Sequence, residues 1–380
     1  METGKKQASG GMKWRAFLNT LGYDYMMLGI KSFALAGGVH RYRTAKRIPD
    51  GYDGSAKEYE DVVVQYWKPY GIRPKRYWYR LYCAGMDHYD PRFIPGTVWF
   101  GKIIPYFNNL SFKSAYTDKA MLSRLFPDVR QPVTVIKNMG GSFYNGAEEP
   151  ITRDEAEKLC LREEHLIFKP TIESGGGMNI RFFDADEMPA DRIGELFDCF
   201  NANFIVQQIV QQHPDLARIN ASTLNTMRVL SFRFHGKVHI LSAQLRMGSS
   251  KARVDNVSAG GFACPINPDG SLRERAVAHR SKWIDQTENG IKFKDITVPS
   301  YDRVVSTIEK IHGRMPYFGI IGWDVAVDKD GEPVLIEFNL RPEQNQNGNK
   351  APTFGDMTEE VLEEVFIKKT LKGKFVYSNI

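Results

Sequence analysis

The stretch that most constrains this chain is Gly319 to Glu343, GIIGWDVAVDKDGEPVLIEFNLRPE. Ile and Val dominate Gly319 to Val327, and Pro333 to Leu340 alternates in the same way, so two strands are expected. Asp330-Gly331 between them is a hairpin signal, because both central residues of a type I′ turn need positive φ. With those two as the loop, Lys329 faces Glu332, and Asp324 faces Glu337 further along the ladder. Asn339 then points to the same face as Glu337, since strand side chains alternate.

Opposed carboxylates on one sheet face stand roughly 5 Å apart at Cβ and repel. A divalent cation is a natural compensator, and Asp324, Glu337 and Asn339 form a hard-oxygen ligand set of the kind Mg²⁺ takes together with phosphates and water. A solvated acidic hairpin face is the plainer alternative.

A second informative stretch is His165 to Phe183, HLIFKPTIESGGGMNIRFF. Two apolar strands flank a loop in which Gly175, Gly176 and Gly177 follow Ser174. Such a loop lets backbone N–H groups close on an anion, and Lys169 at the strand end adds a fixed cation. The pattern GxxxxGK[ST] is absent, so this is not a P-loop; a mobile hairpin tip is the bland reading. Ser222 to Met247 reads as two strands around His235-Gly236. Arg228 and Arg246 lie within this apolar run, where an arginine needs an anion: an internal aspartate, or a phosphate or carboxylate gripped bidentately. Lys251, Arg253 and Asn256 lead into Ser258-Ala259-Gly260-Gly261, a segment suited to an active-site mouth and to substrate contact.

Asp324, Glu337 and Asn339 in the spacing D-x12-E-x-N resemble the metal signature of the ATP-grasp superfamily. HPDLARINASTLNTMRV, the N-x-x-AGG segment, EFNLRP and the upstream runs YWKPYGIRPKRYWYRLY and DPRFIPGTVWF resemble one branch, the sugar-transfer-associated ATP-grasp group related to α-L-glutamate ligases. The resemblance implies an α+β ATP-grasp fold: two α+β subdomains clasping ATP, preceded by a mostly helical domain. It implies ATP and Mg²⁺, in all two ions, as cofactors. Lys119 and Lys169 would contact phosphates under the Ser174–Gly177 loop. Gln207, Gln208, Ile209 and Val210 would border adenine, although the superfamily often has an acid near Gln207, and Asp215 would bind ribose. Arg228 and Arg246 would act in catalysis, and Arg341, within LRP, would stand beside the substrate.

The implied activity is ligation of a carboxylate to an amine through an acylphosphate, with a carboxylated small molecule or glycan such as a uronic acid as one partner, in polysaccharide or capsule synthesis. A kinase acting on a hydroxyl and a non-catalytic nucleotide-binding module are the alternatives. The resulting division is a tail over 1–12, a helical aromatic-rich domain over 13–112, a central subdomain over 113–210 and a C-terminal subdomain over 211–380.

Composition is compatible with this. The 380 residues carry 51 Lys and Arg against 45 Asp and Glu, which favours an anionic partner without choosing one. The four cysteines are far apart in sequence, giving neither a zinc spacing nor a disulfide scaffold, so a reducing cytoplasm is expected. Met26 to Val39 comes nearest to a membrane span but carries Lys31, so it reads as a buried helix, with a helix lying on a membrane surface as the alternative; for the whole protein, peripheral association with the inner membrane face or with a glycosyltransferase stays open. Tyr66 to Tyr82 interleaves cations and aromatics. It suits an amphipathic helix, an acidic saccharide or, least, nucleic acid, which is not an expected partner. Ser114 to Phe126 is expected as a helix capped by Thr117 or Asp118, Thr152 with Glu155 as a capping box, and the proline-punctuated Pro91 to Leu110 as loops and short turns.

Overall fold

A computed structural model of the chain describes residues 51–172, 179–249, 253, 260–278 and 282–369. The stretch Met26 to Val39 and the glycine run Ser174 to Gly177 lie outside the described residues, as do Lys251 and Asn256. The chain forms two compact units, the first ending at Pro91 with Pro95–Thr97 added, the second comprising Arg92–Ile94 and Val98 onward.

In the first unit, helical turns run from Ala56 to Tyr70, widened to a π-helix over Tyr59–Val64. Gly71, at φ 68°, ends them, and a further helix spans Arg76–Tyr82. Trp67, Trp78, Tyr79 and Tyr82 are buried, and the Trp67 Nε1 donates to the Pro91 carbonyl at 3.0 Å. Lys68, Arg73 and Lys75 remain exposed. The basic aromatic run is thus two helices with rings inside and cations in water, the snorkelling arrangement of long amphipathic side chains.

The second unit holds two antiparallel sheets. The smaller is built from β1 (Thr134–Met139), β2 (Ser142–Asn145), β3 (Pro150–Ile151), β4 (His165–Pro170), β5 (Arg181–Asp184) and β6 (Phe204–Gln208), in the order β3-β2-β1-β6-β4-β5. One face packs Ile136, Phe168, Phe204 and Val206 against the helices Arg153–Cys160 and Arg192–Phe200. The first of these starts with the expected capping box of Thr152 and Glu155.

The larger sheet comprises β7 (Thr226–Phe234), β8 (Lys237–Met247), β9 (Phe262–Pro265), β10 (Ala276–Ala278), β11 (Lys282–Ile284), β12 (Ile320–Val327) and β13 (Pro333–Asn339), in the order β11-β10-β9-β8-β7-β12-β13. Met227, Val229, Leu245, Trp323, Val325 and Phe338 face the main core with helix Tyr301–His312. Thr226, Arg228, Gln244, Arg246 and Asp324, which alternate with these residues, are polar and lie outside that core.

Two local expectations fail for identifiable reasons. Ser114 to Phe126 is not one helix. Lys113–Tyr116 ends at Thr117, and Asp118 begins a new turn by accepting from the Ala120 N–H at 2.9 Å. Asp118 thereby acts as the expected N-cap, but of a separate turn rather than of a helix over the whole stretch. Trp99–Ile103 is a π-helix running into helix Ile104–Phe107 rather than a loop. The buried Trp99, Ile103, Ile104 and Phe107 offset the proline penalty by packing, as tertiary burial commonly overrides propensity.

Behind β12 lies a buried polar chain. The Trp323 Nε1 donates to Ser231 Oγ at 2.7 Å, Ser231 Oγ lies 2.8 Å from His312 Nδ1, and His312 Nε2 lies 3.0 Å from the Phe318 carbonyl. A carbonyl only accepts, so the proton sits on Nε2 and Ser231 donates to Nδ1. Burial holds His312 neutral and lowers its pKa to about 4; the Phe318 carbonyl opposes this shift and Arg233 adds to it. The unfolded chain therefore takes up the proton first on acidification, and the stability due to neutral His312 is lost as pH falls from about 6.5 toward the folded value. We predict a loss of about 2 kcal/mol between pH 7 and pH 5 from this group. Urea unfolding at both pH values checks this: His312→Gln should lower stability at pH 7 but flatten the decline, and an equal slope in both proteins refutes it.

Candidate active site

The polar face of the larger sheet gathers its charges in one cross-strand row. Gln244 on β8 opposes Arg228 on β7, Arg228 opposes Asp324 on β12, and Asp324 opposes Glu337 on β13. Asn339 lies opposite Gly322 on the same face as Glu337. The sequence places Asp324 against Glu337 through a two-residue turn, but the structure reaches that pairing differently. The loop has three residues: Gly331 N–H donates to the Asp328 carbonyl, Asp328 N–H donates to Glu332, and Gly331 has φ 78°. This pairs Val327 with Pro333 and moves the register by one residue. An irregularity between Asp324 and Val325 leaves Ile336 without a partner and moves the register back. A β-bulge of this kind also changes side-chain parity, which is why Leu335 and Phe338 both enter the core while Glu337 turns away.

Asp324 is 1% exposed. Arg228 grips it bidentately, Nε to Oδ1 at 2.6 Å and a terminal nitrogen to Oδ2 at 2.7 Å. Arg246 reaches the same carboxylate at 3.4 Å and donates to Thr226 Oγ1 at 3.0 Å. Burial pushes the Asp324 carboxyl up, but Arg228 and Arg246 outweigh it and hold the group below its ordinary value, ionised. Glu337 is more open, its side chain 33% exposed, and Lys119 Nζ stands 3.2 Å from its Oε2. Three cations thus surround two carboxylates. Protein cations thus stand beside the opposed acids and supply compensating charge.

The donor set still suits a hard cation. Each carboxylate oxygen carries more than one lone pair, so a guanidinium N–H on each Asp324 oxygen leaves acceptor capacity. Glu337 and Asn339 supply partly exposed oxygens. Among the described residues no cluster of three or more His, Cys, Asp or Glu could hold a metal; the set here is two carboxylates and an amide.

Lys119 comes to this row from beside the other sheet. Its N–H donates to the Thr171 carbonyl at 3.0 Å, and Thr171 N–H donates to the Asn203 carbonyl at 2.8 Å. The turn bearing Lys119 is thus fastened where β4 ends and the glycine run begins. Lys169 on β4 donates to Gln207 Oε1 on β6 at 3.2 Å. Gln207 is buried and its amide lies 3.3 Å from Thr134 Oγ1, while Gln208 donates to Glu163 at 2.8 Å. Ile209 and Val210 follow in the connection to the larger sheet, where Gln212 bridges to Asp328 and His213 N–H donates to the Val327 carbonyl. Asp215 lies in the first turn of a short helix, Pro214–Ala217, past this connection, with a 57% exposed side chain near His213.

Other candidates lie apart from the row. Arg253 pairs with Asp184 on β5 at 2.8 Å and covers the Phe182 ring at 3.9 Å; its guanidinium holds the Asp184 carboxyl below the usual range. Arg341 is exposed and stands 5.3 Å from the Phe100 ring. Sequence reasoning passes over Thr226 and Gln244, buried polar residues that steady the row. Gln244 donates to Asn349 at 3.0 Å. Their signal is positional: Thr226 precedes Arg228, and Gln244 precedes Arg246, by one alternation in otherwise apolar strands.

The family resemblance is borne out over residues 198–355, which match the sequence model described as sugar-transfer associated ATP-grasp. Among solved structures, the ATP-grasp ligase PsnB complexed with a phosphomimetic variant of its minimal precursor, Mg and ADP is similar at 12% identity and TM-score 0.39, covering 68% of this chain and 61% of that one. L-amino acid ligase from Bacillus licheniformis is 11% identical with TM-score 0.37, covering 68% and 49% respectively. For D-cycloserine synthetase DcsG the values are 12%, 0.40, 67% and 70%. The match thus spans less than two thirds of the length of the first two chains. No curated protein matches this chain.

The unequal burial of the two acids gives a contrast. Asp324→Ala should cost about 3 kcal/mol, because it strands partly buried guanidinium groups, whereas Glu337→Ala should change stability by less than about 1 kcal/mol. Chemical denaturation of both variants measures the difference, and similar losses would refute the burial argument.

Proposed function

We propose that this chain is an ATP- and Mg²⁺-dependent ligase that joins a carboxylate to an amine through an acylphosphate. The observation that carries the reading is the row Arg228–Asp324–Glu337 with Arg246 and Lys119 set around it. Its cations outnumber its acids, which favours a polyanion such as triphosphate. Lys119 and Lys169 hold the phosphates, with Gln207 to Val210 beside adenine; Asp215 takes the ribose. Glu337 and Asn339, with Asp324 behind them, would hold Mg²⁺, which when bound offsets charge on the β- and γ-phosphates.

A substrate carboxylate oxygen attacks the γ-phosphorus and ADP leaves. An amine then attacks the acyl carbon, the carbon–oxygen bond to phosphate breaks, and the amine proton departs with phosphate. Arg228 or Arg246 would stabilise the tetrahedral oxyanion: Arg228 meets Asp324 through two bonds, and Arg246 reaches the same carboxylate at 3.4 Å. The description of the matching family supports a carboxylated sugar, such as a uronic acid, as the acid, and a role in polysaccharide synthesis. Among the described residues no helix is long and apolar enough to cross a membrane.

ADP release with Mg²⁺, measured over a panel of uronic acids and amines with mass spectrometry of products, tests the proposal. Release that needs both acid and amine, and a product joined by an amide, is the expected result. A stable phosphorylated product formed without amine would replace the ligase with a kinase, and ATP binding without turnover would make it a binding module. Glu337→Ala should lower turnover at least about 100-fold, the scale of losing one preorganised electrostatic contact, and retained activity would reject its metal role.

A further inference from the structure

The larger sheet carries a second cross-strand row beside the first. Thr226, Arg246, Ala263, Val277 and Trp283 oppose one another in turn across β7, β8, β9, β10 and β11. Opposed residues share a face, so Trp283 lies on the same side of the sheet as Arg246. Phe262, Cys264 and Ala276, the alternate residues, enter the core on the other side. Trp283 lines a cavity of about 400 Å³ together with Leu272, Arg273, Arg275, Gly348 and Lys350, among others.

This pocket presents an indole with cations on it. The Arg275 guanidinium stands 5.7 Å, and the Lys350 ammonium 5.3 Å, from the Trp283 ring. Glu274 is the acid in the lining. Lys350 is held at φ 49°, an uncommon state for a residue with a side chain, and such strain persists only where the surroundings impose it. They do: Arg273 donates to the Asn349 carbonyl, and Asn349 accepts from Gln244. Gly348 is packed so closely that a Cβ there would stand 2.7 Å from the Gln244 amide. Gln244 in turn opposes Arg228, so the segment Gln346–Asn349 forms a wall shared by the pocket and the charged row.

We infer that the Trp283 pocket is a saccharide subsite for an acidic glycan. The apolar face of a sugar ring stacks on the indole, and Arg275 and Lys350 take the carboxylates of a uronic acid. Three strand spacings, on the order of 14 Å, separate Trp283 from Arg246, the span of a short oligosaccharide rather than of one ring. The inference deepens the ligase reading, resting on it only for the direction of the chain toward Arg246; the pocket itself rests on its own residues.

Calorimetric titration of the full chain with trigalacturonate and with maltotriose, without nucleotide, tests the subsite. Trigalacturonate should bind and maltotriose should bind at least tenfold more weakly. Trp283→Ala should weaken trigalacturonate at least tenfold, with Trp283→Phe retaining most of the affinity, and Arg275→Ala with Lys350→Ala should remove the preference for the acidic sugar. Circular dichroism and ATP titration of each variant verify that fold and nucleotide binding persist. Absence of trigalacturonate binding, equal binding of the two sugars, or binding unaffected by Trp283→Ala would overturn the inference. None of those results bears on acid- and amine-dependent ADP release, so the two readings fail separately.

Discussion

The ion pair between Arg228 and Asp324 is the constraint on which the polar face of the larger sheet depends. A buried carboxylate and an arginine within apolar strands are each unfavourable alone, and the attraction between them offsets desolvation only when geometry is good and the remaining polar atoms are satisfied. Both conditions hold. The two groups oppose each other across β7 and β12 and meet through two parallel hydrogen bonds. A slip of one residue between these strands would turn one member of the pair into the core. The pair thus selects register as well as tolerating burial, and every neighbouring row follows from it.

Much of the hairpin was legible in the sequence, though partly by compensation. Alternation in β12 and β13 located both strands, and Asp324 does face Glu337. The turn chemistry did not assign the loop correctly: Asp330-Gly331 is part of a three-residue loop in which Asp328 accepts from the N–H groups of Asp330 and Glu332. That shift would have paired Asp324 with Ile336 and turned Glu337 to the opposite face of the sheet had Ile336 not bulged. Around His235-Gly236, where both residues do have positive φ, the strands meet as a simple two-residue hairpin should. The difference lies in Asp328, whose side chain folds the loop over itself, a local competition that spacing alone does not resolve.

Less legible were contacts formed between residues distant in sequence. The sequence says that Arg228 needs an anion and that Asp324 and Glu337 need a cation, but not that these needs meet each other. Resolving that requires the strand order, since β7 joins β12 across a long insertion containing β8 to β11. Lys137 shows the same limit. It is 1% exposed, opposes Ile205 on the polar side of the smaller sheet, and donates to Glu148 at 2.5 Å. Burial raises the Glu148 carboxyl, yet Lys137, Arg124 and Ser123 together bring it down to about 2. Nothing in the local sequence of either residue marks it as half of a buried pair.

The two sheets meet chemically through Lys119. Its backbone is fastened to Thr171, the last described residue but one before the glycine run, while its ammonium reaches Glu337 on the other sheet. A lysine on a longer tether could follow either sheet independently. This one sits on a short turn capped by Asp118, so the position of the end of β4 determines how closely the ammonium approaches the carboxylate. A polyanion entering between Lys119 and Lys169 would draw on the same ammonium that now neutralises Glu337, releasing that carboxylate to a cation arriving with the phosphates. On the proposed reading, such charge competition would couple nucleotide entry to exposure of the acid, with the Arg228–Asp324 pair behind it unchanged.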